Sequence, residues 1–253
     1  MKIRGRRECQ DCGRRWSYYR TGDVECPDCG SLRSVGVDDR TRHTDGAPTL
    51  DLSPYRDDAP ENLGAVAADL TEDLRAYARR RGFVVGGDLR EPDDRYLCAR
   101  ELRQALSDLE RGHSDRVAAA GDRSVDAVGD GGATDRYLLA LFRVADGDDA
   151  ADRPAPAAVP ERFRPARGLA YATALATHRS EAATYLDDDP DPAVRTALGR
   201  LRDRVARVEA LDGEVAPARV ETLVRAAREL TRAATDGDEA ALSTAQERLS
   251  ALE

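Results

Sequence analysis

Apolar side chains recur at helical spacing through most of the chain beyond residue 60. Intervals of three and four residues place side chains on one face of an α-helix. Residues 61–145 contain two such stripes and a short apolar run, so we predict a helical region there. Four further stripes in residues 167–253 predict a C-terminal helical bundle, and the most regular of them consists of Val194, Leu198, Leu201, Val205 and Val208.

The predicted helices of the bundle have recognisable starts. Asp191 followed by Pro192 is typical of an N-cap and a first helical residue, Pro217 starts the next helix, and Asp236 with Glu239 resembles a capping box. Short connections favour antiparallel helices that pack within one chain. The same stripes could also pair two copies of the chain, so a homodimer through the C-terminal helices stays open.

Two proline-containing segments interrupt the helical pattern. Residues 43–60 have three prolines, and residues 146–166 have four prolines and an acidic run. Because neither segment has sustained periodicity, we predict both as linkers. They separate the N-terminal segment 1–42, the helical region 61–145 and the bundle 167–253.

The N-terminal segment has the pattern of short β-strands instead. Residues 15–19 alternate large and small side chains, and the sequence Thr21-Gly22-Asp23 supplies a turn after them. Residues 32–37 add a candidate third strand. We therefore predict a small antiparallel β-structure over residues 1–42.

Four of the five cysteines lie in two Cys-x-x-Cys-Gly motifs, at Cys9, Cys12, Cys26 and Cys29. The two-residue gap aims both sulfurs of a motif at one point, and the glycine permits the turn that follows. Four thiolates suit one structural Zn²⁺, and so short a segment has too little core to fold without a metal. Disulfides are less favoured in a reducing compartment. Cys98 lies on an apolar helical stripe, so we interpret it as a core residue.

With these motifs in view, residues 1–42 resemble the zinc ribbons of transcription factor IIB type. The run from Cys9 through RWSYY to VECPDCGSLRSVGVD is similar to the N-terminus of a group of haloarchaeal proteins that carry this ribbon. The resemblance implies that Cys9, Cys12, Cys26 and Cys29 are zinc ligands and points to the transcription machinery as a partner. It covers about one-sixth of the chain, and ribbons of this type serve many functions.

The two cysteine motifs also resemble rubredoxin, in which they hold a redox iron. Rubredoxins separate the motifs much further, whereas only thirteen residues lie between them here. A short hairpin leaves little polypeptide to bury the metal and tune its potential, so we favour zinc and keep a rubredoxin-like electron-transfer protein as a minor alternative.

Charge and composition indicate the environment in which the protein works. The chain has 48 Asp and Glu against 39 Lys and Arg, Asp outnumbers Glu 32 to 16, and Lys2 is the only lysine. This composition is typical of a cytoplasmic protein of an extreme halophile, whose surface carboxylates stay hydrated in concentrated salt. A GC-rich genome is the alternative explanation. No apolar run is long enough for a membrane span and none forms an export signal, so we expect a cytoplasmic protein without membrane contact.

The N-terminal segment is less acidic than the rest of the chain. Residues 1–42 hold ten Lys and Arg against seven Asp and Glu. Arginines beside aromatic rings suit contacts with nucleic acid or with protein. The candidate contact residues are Arg4, Arg6, Arg7, Arg14, Arg15, Trp16, Tyr18 and Tyr19. Because concentrated salt weakens phosphate contacts strongly, we favour a protein partner and keep nucleic acid as the alternative.

The sequence contains no motif that predicts an enzyme. His43, His113 and His178 form neither a metal-binding motif nor a recognisable triad, and the glycines in residues 82–88 lack the Lys-Ser/Thr of a phosphate loop. We therefore predict a non-enzymatic adaptor with one structural Zn²⁺. The alternative is a transcription regulator that contacts nucleic acid through the zinc ribbon.

Overall fold

The computed structural model describes residues 2–38, 40–42, 48–57, 59, 63, 66–85, 88–120, 131–186 and 191–252. Their buried apolar side chains form two clusters, a small one in the N-terminal segment and a large one that extends from Leu50 to Leu249. The predicted fold class is therefore confirmed: a small antiparallel β-structure, which we call the ribbon, precedes a helical domain.

Five short strands lie in the described part of the ribbon. The central strand β2 (Arg6–Cys9) pairs antiparallel with β3 (Arg15–Ser17) on one side and with β4 (Ser34–Gly36) on the other. The outer strand β1 (Lys2–Arg4) pairs with β5 (Arg40–Arg42). The third strand predicted in residues 32–37 is confirmed as β4, whereas β1 and β5 had no signal in the sequence.

The prediction that residues 18 and 19 continue the strand is wrong, because they begin one turn of helix, α1 (Tyr18–Thr21). The Tyr18 N–H donates to the Gly5 carbonyl oxygen at 2.6 Å. Gly22, at φ 67°, then closes the turn by donating its N–H to the Tyr18 carbonyl oxygen at 2.8 Å. The turn reverses the chain before the second cysteine motif.

Seven long helices form most of the remaining described residues. They are α2 (Ala67–Arg80), α3 (Asp94–Ala120), α4 (Gly131–Asp146), α5 (Arg164–Tyr185), α6 (Pro192–Ala210), α7 (Pro217–Asp236) and α8 (Glu239–Ser250). A two-stranded hairpin, β6 (Val84–Val85) with β7 (Asp88–Leu89), connects α2 to α3. The apolar stripes of the sequence therefore form helices, and α3 extends well past the end of its stripe at residue 109.

The helical domain has one continuous core. The helix α3 packs against α2, α4 and α5, the helix α5 packs against α6 and α7, and α8 packs against α6 and α7. The stripe from Val194 to Val208 is buried in this arrangement, so helices of the same chain cover it. None of the helices in the described ranges combines the length and the apolarity that crossing a membrane requires.

The segments predicted as linkers pack on this core in their described parts. Leu52 and Tyr55 of the first segment are buried, and so are Val159 and Phe163 of the second. The Phe163 ring stacks on the Tyr137 ring of α4, with 5.6 Å between centroids. The structure differs from the prediction here because apolar side chains between the prolines anchor both segments.

Two helix starts follow the expected capping chemistry. The Asp191 carboxylate accepts a hydrogen bond from the Ala193 N–H at 2.7 Å at the start of α6. The predicted cap at Asp236 is wrong, since Asp236 is the last residue of α7 and Gly237 ends that helix at φ 68°. The N-cap of α8 is Asp238, whose side chain accepts from the Ala241 N–H at 2.9 Å.

Candidate metal centre

The two cysteine motifs adopt the same local structure. The Gly13 N–H donates to the Cys9 carbonyl oxygen at 3.0 Å, and the Gly30 N–H donates to the Cys26 carbonyl oxygen at 2.9 Å. Both glycines have a left-handed φ, of 76° and 68°, which other residues rarely adopt. Each motif is thus a tight knuckle with its two sulfurs on one side.

The knuckles bring all four predicted ligands together. The Sγ atoms of Cys9 and Cys29 are 3.6 Å apart, as are those of Cys12 and Cys26, and all four sulfurs lie within 4.8 Å of one another. A disulfide would need about 2.05 Å. Tetrahedral coordination with a metal–sulfur bond of about 2.3 Å places the sulfurs about 3.8 Å apart. The four sulfurs therefore have a geometry that could hold one metal ion.

The two knuckles contribute one buried and one exposed cysteine each. Cys9 and Cys26 are buried against the Trp16 ring, and these three residues form the whole apolar cluster in the described part of the ribbon. Cys12 and Cys29 are exposed. The Asp11 N–H donates to Cys9 Sγ at 3.4 Å, a contact that stabilises a thiolate.

The thiol pKa values diverge because backbone N–H groups and hydrogen bonds between the sulfurs act on each cysteine with a different net effect. Hydrogen bonds from the backbone N–H groups, first that of Cys12 and then that of Asp11, lower the pKa of Cys9 to about 7 against the effect of burial. The Ser31 N–H favours ionised Cys29, but the nearby Cys12 and Cys9 side chains outweigh it and raise the pKa of Cys29 to about 12. A thiol must lose its proton before it binds a metal ion, so metal binding competes with protons.

Polar contacts connect the first knuckle with the second knuckle and the residues that follow it. Asp11, in the first knuckle, accepts hydrogen bonds from the Ser31 hydroxyl and from Arg33 Nη1, the latter at 2.9 Å. Arg14 lies 3.7 Å from Asp28 of the second knuckle, and both side chains are more than half exposed. Exposed pairs of this kind contribute at most about 1 kcal/mol, so they align the knuckles rather than hold them together.

The predicted contact residues divide between the two faces of the sheet. Arg15, Glu8 and Val35 lie in one cross-strand row, while Arg7 shares the opposite face with Trp16. We call the face with Arg15 and Val35 the outer face. Trp16 is only 3% exposed, and its Nε1–H donates to the Asp23 carbonyl oxygen at 3.3 Å. Trp16 is therefore a core residue of the ribbon and is not presented to a partner.

The remaining candidates differ in availability. Arg7 donates to the Ser34 hydroxyl at 2.9 Å and to its carbonyl oxygen at 3.0 Å, which occupies its guanidinium. Arg4 is exposed, and its Nη1 donates to the Gly36 carbonyl oxygen at 3.3 Å. Arg6 and Tyr18 are half-buried, Arg14 is exposed, and the side chain of Tyr19 lies outside the described residues.

The sequence interpretation missed an apolar surface on the ribbon. Five large apolar side chains among the described residues are exposed. They are Val24 (39%), Leu32 (70%), Val35 (42%), Val37 (42%) and Leu211 (46%). Four of these five lie in the ribbon. Val35 and Val37 are two residues apart and so share the outer face. The alternation of Val35 and Val37 with polar or small residues was the signal in the sequence that could have shown this surface. The opposite face of the sheet is already filled by Cys9, Trp16 and Cys26.

A second cluster of charge lies inside the helical domain. The Arg167 and Glu101 side chains are fully buried and form an ion pair at 2.7 Å, and the Tyr137 hydroxyl also donates to Glu101. Arg153 donates to both carboxylate oxygens of Glu221, at 2.8 and 2.9 Å. These pairs join α3 to α5 and the segment before α5 to α7. These ion pairs fix the packing of the helical domain. Among its described residues, no group of His, Cys, Asp or Glu side chains is arranged to hold a metal ion.

Comparison with known proteins gives the family but no activity. Comparison with curated proteins gave no match, and comparison with solved structures gave none either. The relationship to ribbons of transcription factor IIB type thus stays a prediction from the cysteine motifs. One family model matches residues 1–249, which include both the ribbon and the helical domain. The chain therefore belongs to DUF7117, a family of unknown function.

Proposed function

We propose that this protein is a cytoplasmic, non-enzymatic adaptor whose zinc ribbon docks on a protein partner. The observation that carries the proposal is the concentration of exposed apolar side chains on the ribbon, at Val24, Leu32, Val35 and Val37. Val35 and Val37 share the outer face, and neighbouring apolar side chains on a folded surface favour contact with another protein. The resemblance to transcription factor IIB-type ribbons supports the transcription machinery as the partner.

Zinc is the metal that best suits the four cysteines. A tetrahedral set of four thiolates is typical of structural zinc, and it leaves no coordination position for a substrate or a water molecule. This closed arrangement supports a structural role and argues against metal-dependent catalysis. A rubredoxin-like iron site is the minor alternative, and it would give a coloured protein, whereas the zinc protein is colourless.

The outer face suits a protein partner better than a nucleic acid. On this face Glu8 of the central strand lies between Val35 and Arg15, and it pairs with the Arg15 guanidinium at 2.7 Å. Arg33 is paired with Asp11 at 2.9 Å. Carboxylates that neutralise exposed arginines also repel phosphate, while the valines keep their affinity for apolar groups in concentrated salt. A regulator that contacts nucleic acid through Arg4 and Arg14 is the second candidate.

Affinity capture from host extract at intracellular salt, with and without nuclease, tests the proposal. The comparison uses three forms of the full chain: wild type, the double variant Val35→Ser with Val37→Ser, and Leu211→Ser as a matched loss of an exposed apolar residue outside the ribbon. We expect wild type and Leu211→Ser to retain one defined protein despite nuclease, and the double variant to lose it. Recovery that nuclease abolishes in all three forms would favour the nucleic-acid regulator.

A further inference from the structure

Two arginines of α3 have no carboxylate partner although the chain has an excess of carboxylates. Arg100 and Arg103 are one helical turn apart, and in the described part of the chain no ion pair joins either to an Asp or a Glu. The sequence has 48 acidic against 39 basic residues. Two neighbouring arginines without an ion-pair partner therefore mark this part of α3.

Arg100 is held in place by a neutral group. Arg100 is only 9% exposed. Its Nη1 donates to the Tyr96 hydroxyl at 3.0 Å, and its Cζ lies 5.7 Å from the Tyr96 ring centroid. Its Nε is buried and has no hydrogen-bond partner among the described residues. A buried cationic N–H without an acceptor is costly, so an acceptor from a ligand would lower the free energy of this site.

Arg103 experiences the positive charge of its neighbours. Partial burial, Arg100 and Arg75 lower the pKa of Arg103, in that order of effect, and outweigh the Asp108 carboxylate, which raises it. Arg75 lies on α2 and is paired with Glu72 at 2.9 Å, but Glu72 also pairs with Arg79 at 3.5 Å. One carboxylate is thus shared between two arginines.

The helix pair also places a free hydroxyl in this region. Arg81 contacts Asp93, and the Tyr77 and Tyr96 rings are 6.1 Å apart, so α2 and α3 run antiparallel from their connected ends. Thr71 lies one turn before Arg75 on the same face of α2. It is buried, and its Oγ1 has no hydrogen-bond partner in the described part of the chain.

We propose that α2 and α3 form a binding site for a phosphate group, with Arg100 and Arg103 as its main ligands and Arg75 and Thr71 at its edge. Two arginines that are in no ion pair suit the negative charge of a phosphate group. The planar guanidinium group presents parallel N–H donors at the spacing of phosphate oxygens. Because Arg103 is half-exposed, the group can enter from solvent.

Thermal unfolding of the full chain tests this site. The Tm is measured at one ionic strength with chloride, then with chloride partly replaced by inorganic phosphate, and finally by a phosphate monoester. We expect inorganic phosphate to raise the Tm by several degrees, because a ligand that binds the folded state stabilises it. A larger rise with the monoester would identify a phosphorylated metabolite rather than free phosphate as the ligand.

The variant Arg103→Gln distinguishes phosphate binding by Arg103 from a purely structural role of this side chain. Without phosphate we expect this variant to unfold at the same or a higher temperature than wild type, since it removes repulsion among the arginines, and we expect it to lose the phosphate response. Arg207→Gln is the matched control, because Arg207 is an exposed arginine of α6 outside the site. The control should respond as wild type does.

Three results would overturn the proposal. They are an equal wild-type Tm in phosphate and chloride, a phosphate response that persists in Arg103→Gln, and a marked loss of stability in that variant without phosphate. The last result would mean that Arg103 supports the fold itself. Arg103→Lys adds a finer comparison, since it keeps the charge but loses the planar fork, and we expect a reduced phosphate response.

Discussion

The ribbon and the helical domain are stabilised in different ways although one chain forms both. The buried cluster of the ribbon has only three members, and two of them are cysteines of the metal site. The cluster of the helical domain includes residues from all seven long helices. The ribbon, with so small a buried cluster, leaves apolar side chains such as Val35 and Val37 exposed, whereas the helical domain buries most of its own in one core.

This contrast predicts that loss of the metal affects the ribbon alone. Cys12→Ser removes one of the four sulfurs, and we expect the ribbon to lose its metal and its folded structure. Structural zinc contributes about 10–16 kcal/mol to the folding of zinc-finger peptides, so this effect is the largest that we predict. Elemental analysis gives the metal content, and circular dichroism of the full chain gives the helical content, which should stay unchanged.

Cys98→Ser is the matched control in the other region. Cys98 is buried in α3, so this change should lower the Tm of the helical domain and leave one metal ion per chain. Metal loss in Cys98→Ser, or collapse of the helical signal in Cys12→Ser, would contradict the division of the chain into two separately stabilised regions.

Within the helical domain, the buried ion pair gives the next largest effect. Arg167→Met leaves the Glu101 carboxylate buried without its cation, and we expect a loss of about 3–5 kcal/mol in the free energy of unfolding. Arg202→Met breaks an exposed pair with Asp203 and should change the stability by less than about 1 kcal/mol. Urea unfolding measures both, and equal losses would show that burial of the pair is unimportant.

Acid should weaken the helical domain through a buried histidine. The Thr231 hydroxyl donates to the Ala227 carbonyl oxygen at 3.0 Å and accepts from His178 Nε2 at 2.8 Å, and burial lowers the pKa of His178 to about 3. An unfolded histidine titrates near pH 6.5, so the stability conferred by neutral His178 is complete above pH 6.5 and is lost progressively as the pH falls towards 3.

The variant His178→Gln isolates this dependence. Between pH 6.5 and pH 5, wild type should lose about 2 kcal/mol more than the variant, because each pH unit corresponds to about 1.4 kcal/mol for one group. Urea unfolding of both proteins at both pH values measures the difference. The contributions of the other titrating groups are the same in the two proteins and cancel. The same loss in both proteins would show that His178 does not cause it.

A pair of glycines in the helical domain should give effects of opposite sign. A Cβ at Gly168 of α5 would overlap the Gly213 carbonyl oxygen and approach the Gly213 Cα at 2.6 Å, so Gly168→Ala should cost about 1–3 kcal/mol. A Cβ at Gly199 of α6 would meet nothing within 4 Å, so Gly199→Ala should stabilise by about 0.5–1 kcal/mol. Thermal unfolding tests whether the two changes have opposite signs.

The sequence predicts those features that depend on neighbouring residues. Cys-x-x-Cys-Gly spacing predicted the sulfur cluster, and intervals of three and four predicted the helices. The start of α6 followed from Asp191 and Pro192, which act on the adjacent backbone. Each of these signals is local, because it depends on backbone geometry within a few residues.

Features that depend on distant residues were not predictable in this way. Glu101 and Arg167 are 66 positions apart, and no pattern in either helix indicates that these two charges face each other in the core. The position of Trp16 among arginines predicts a contact residue, yet in the sheet its side chain packs against Cys9 and Cys26. The same sheet places Val35 on the outer face.

Hydrogen–deuterium exchange of the full metal-loaded chain, before and after chelation, tests the central claim most directly. Removal of the metal should abolish protection of the amides in the strands of the ribbon, and it should leave α2 to α8 protected as before. Retained protection of the ribbon after chelation would contradict a metal-dependent fold, and a loss of protection throughout the helices would contradict the independence of the two regions.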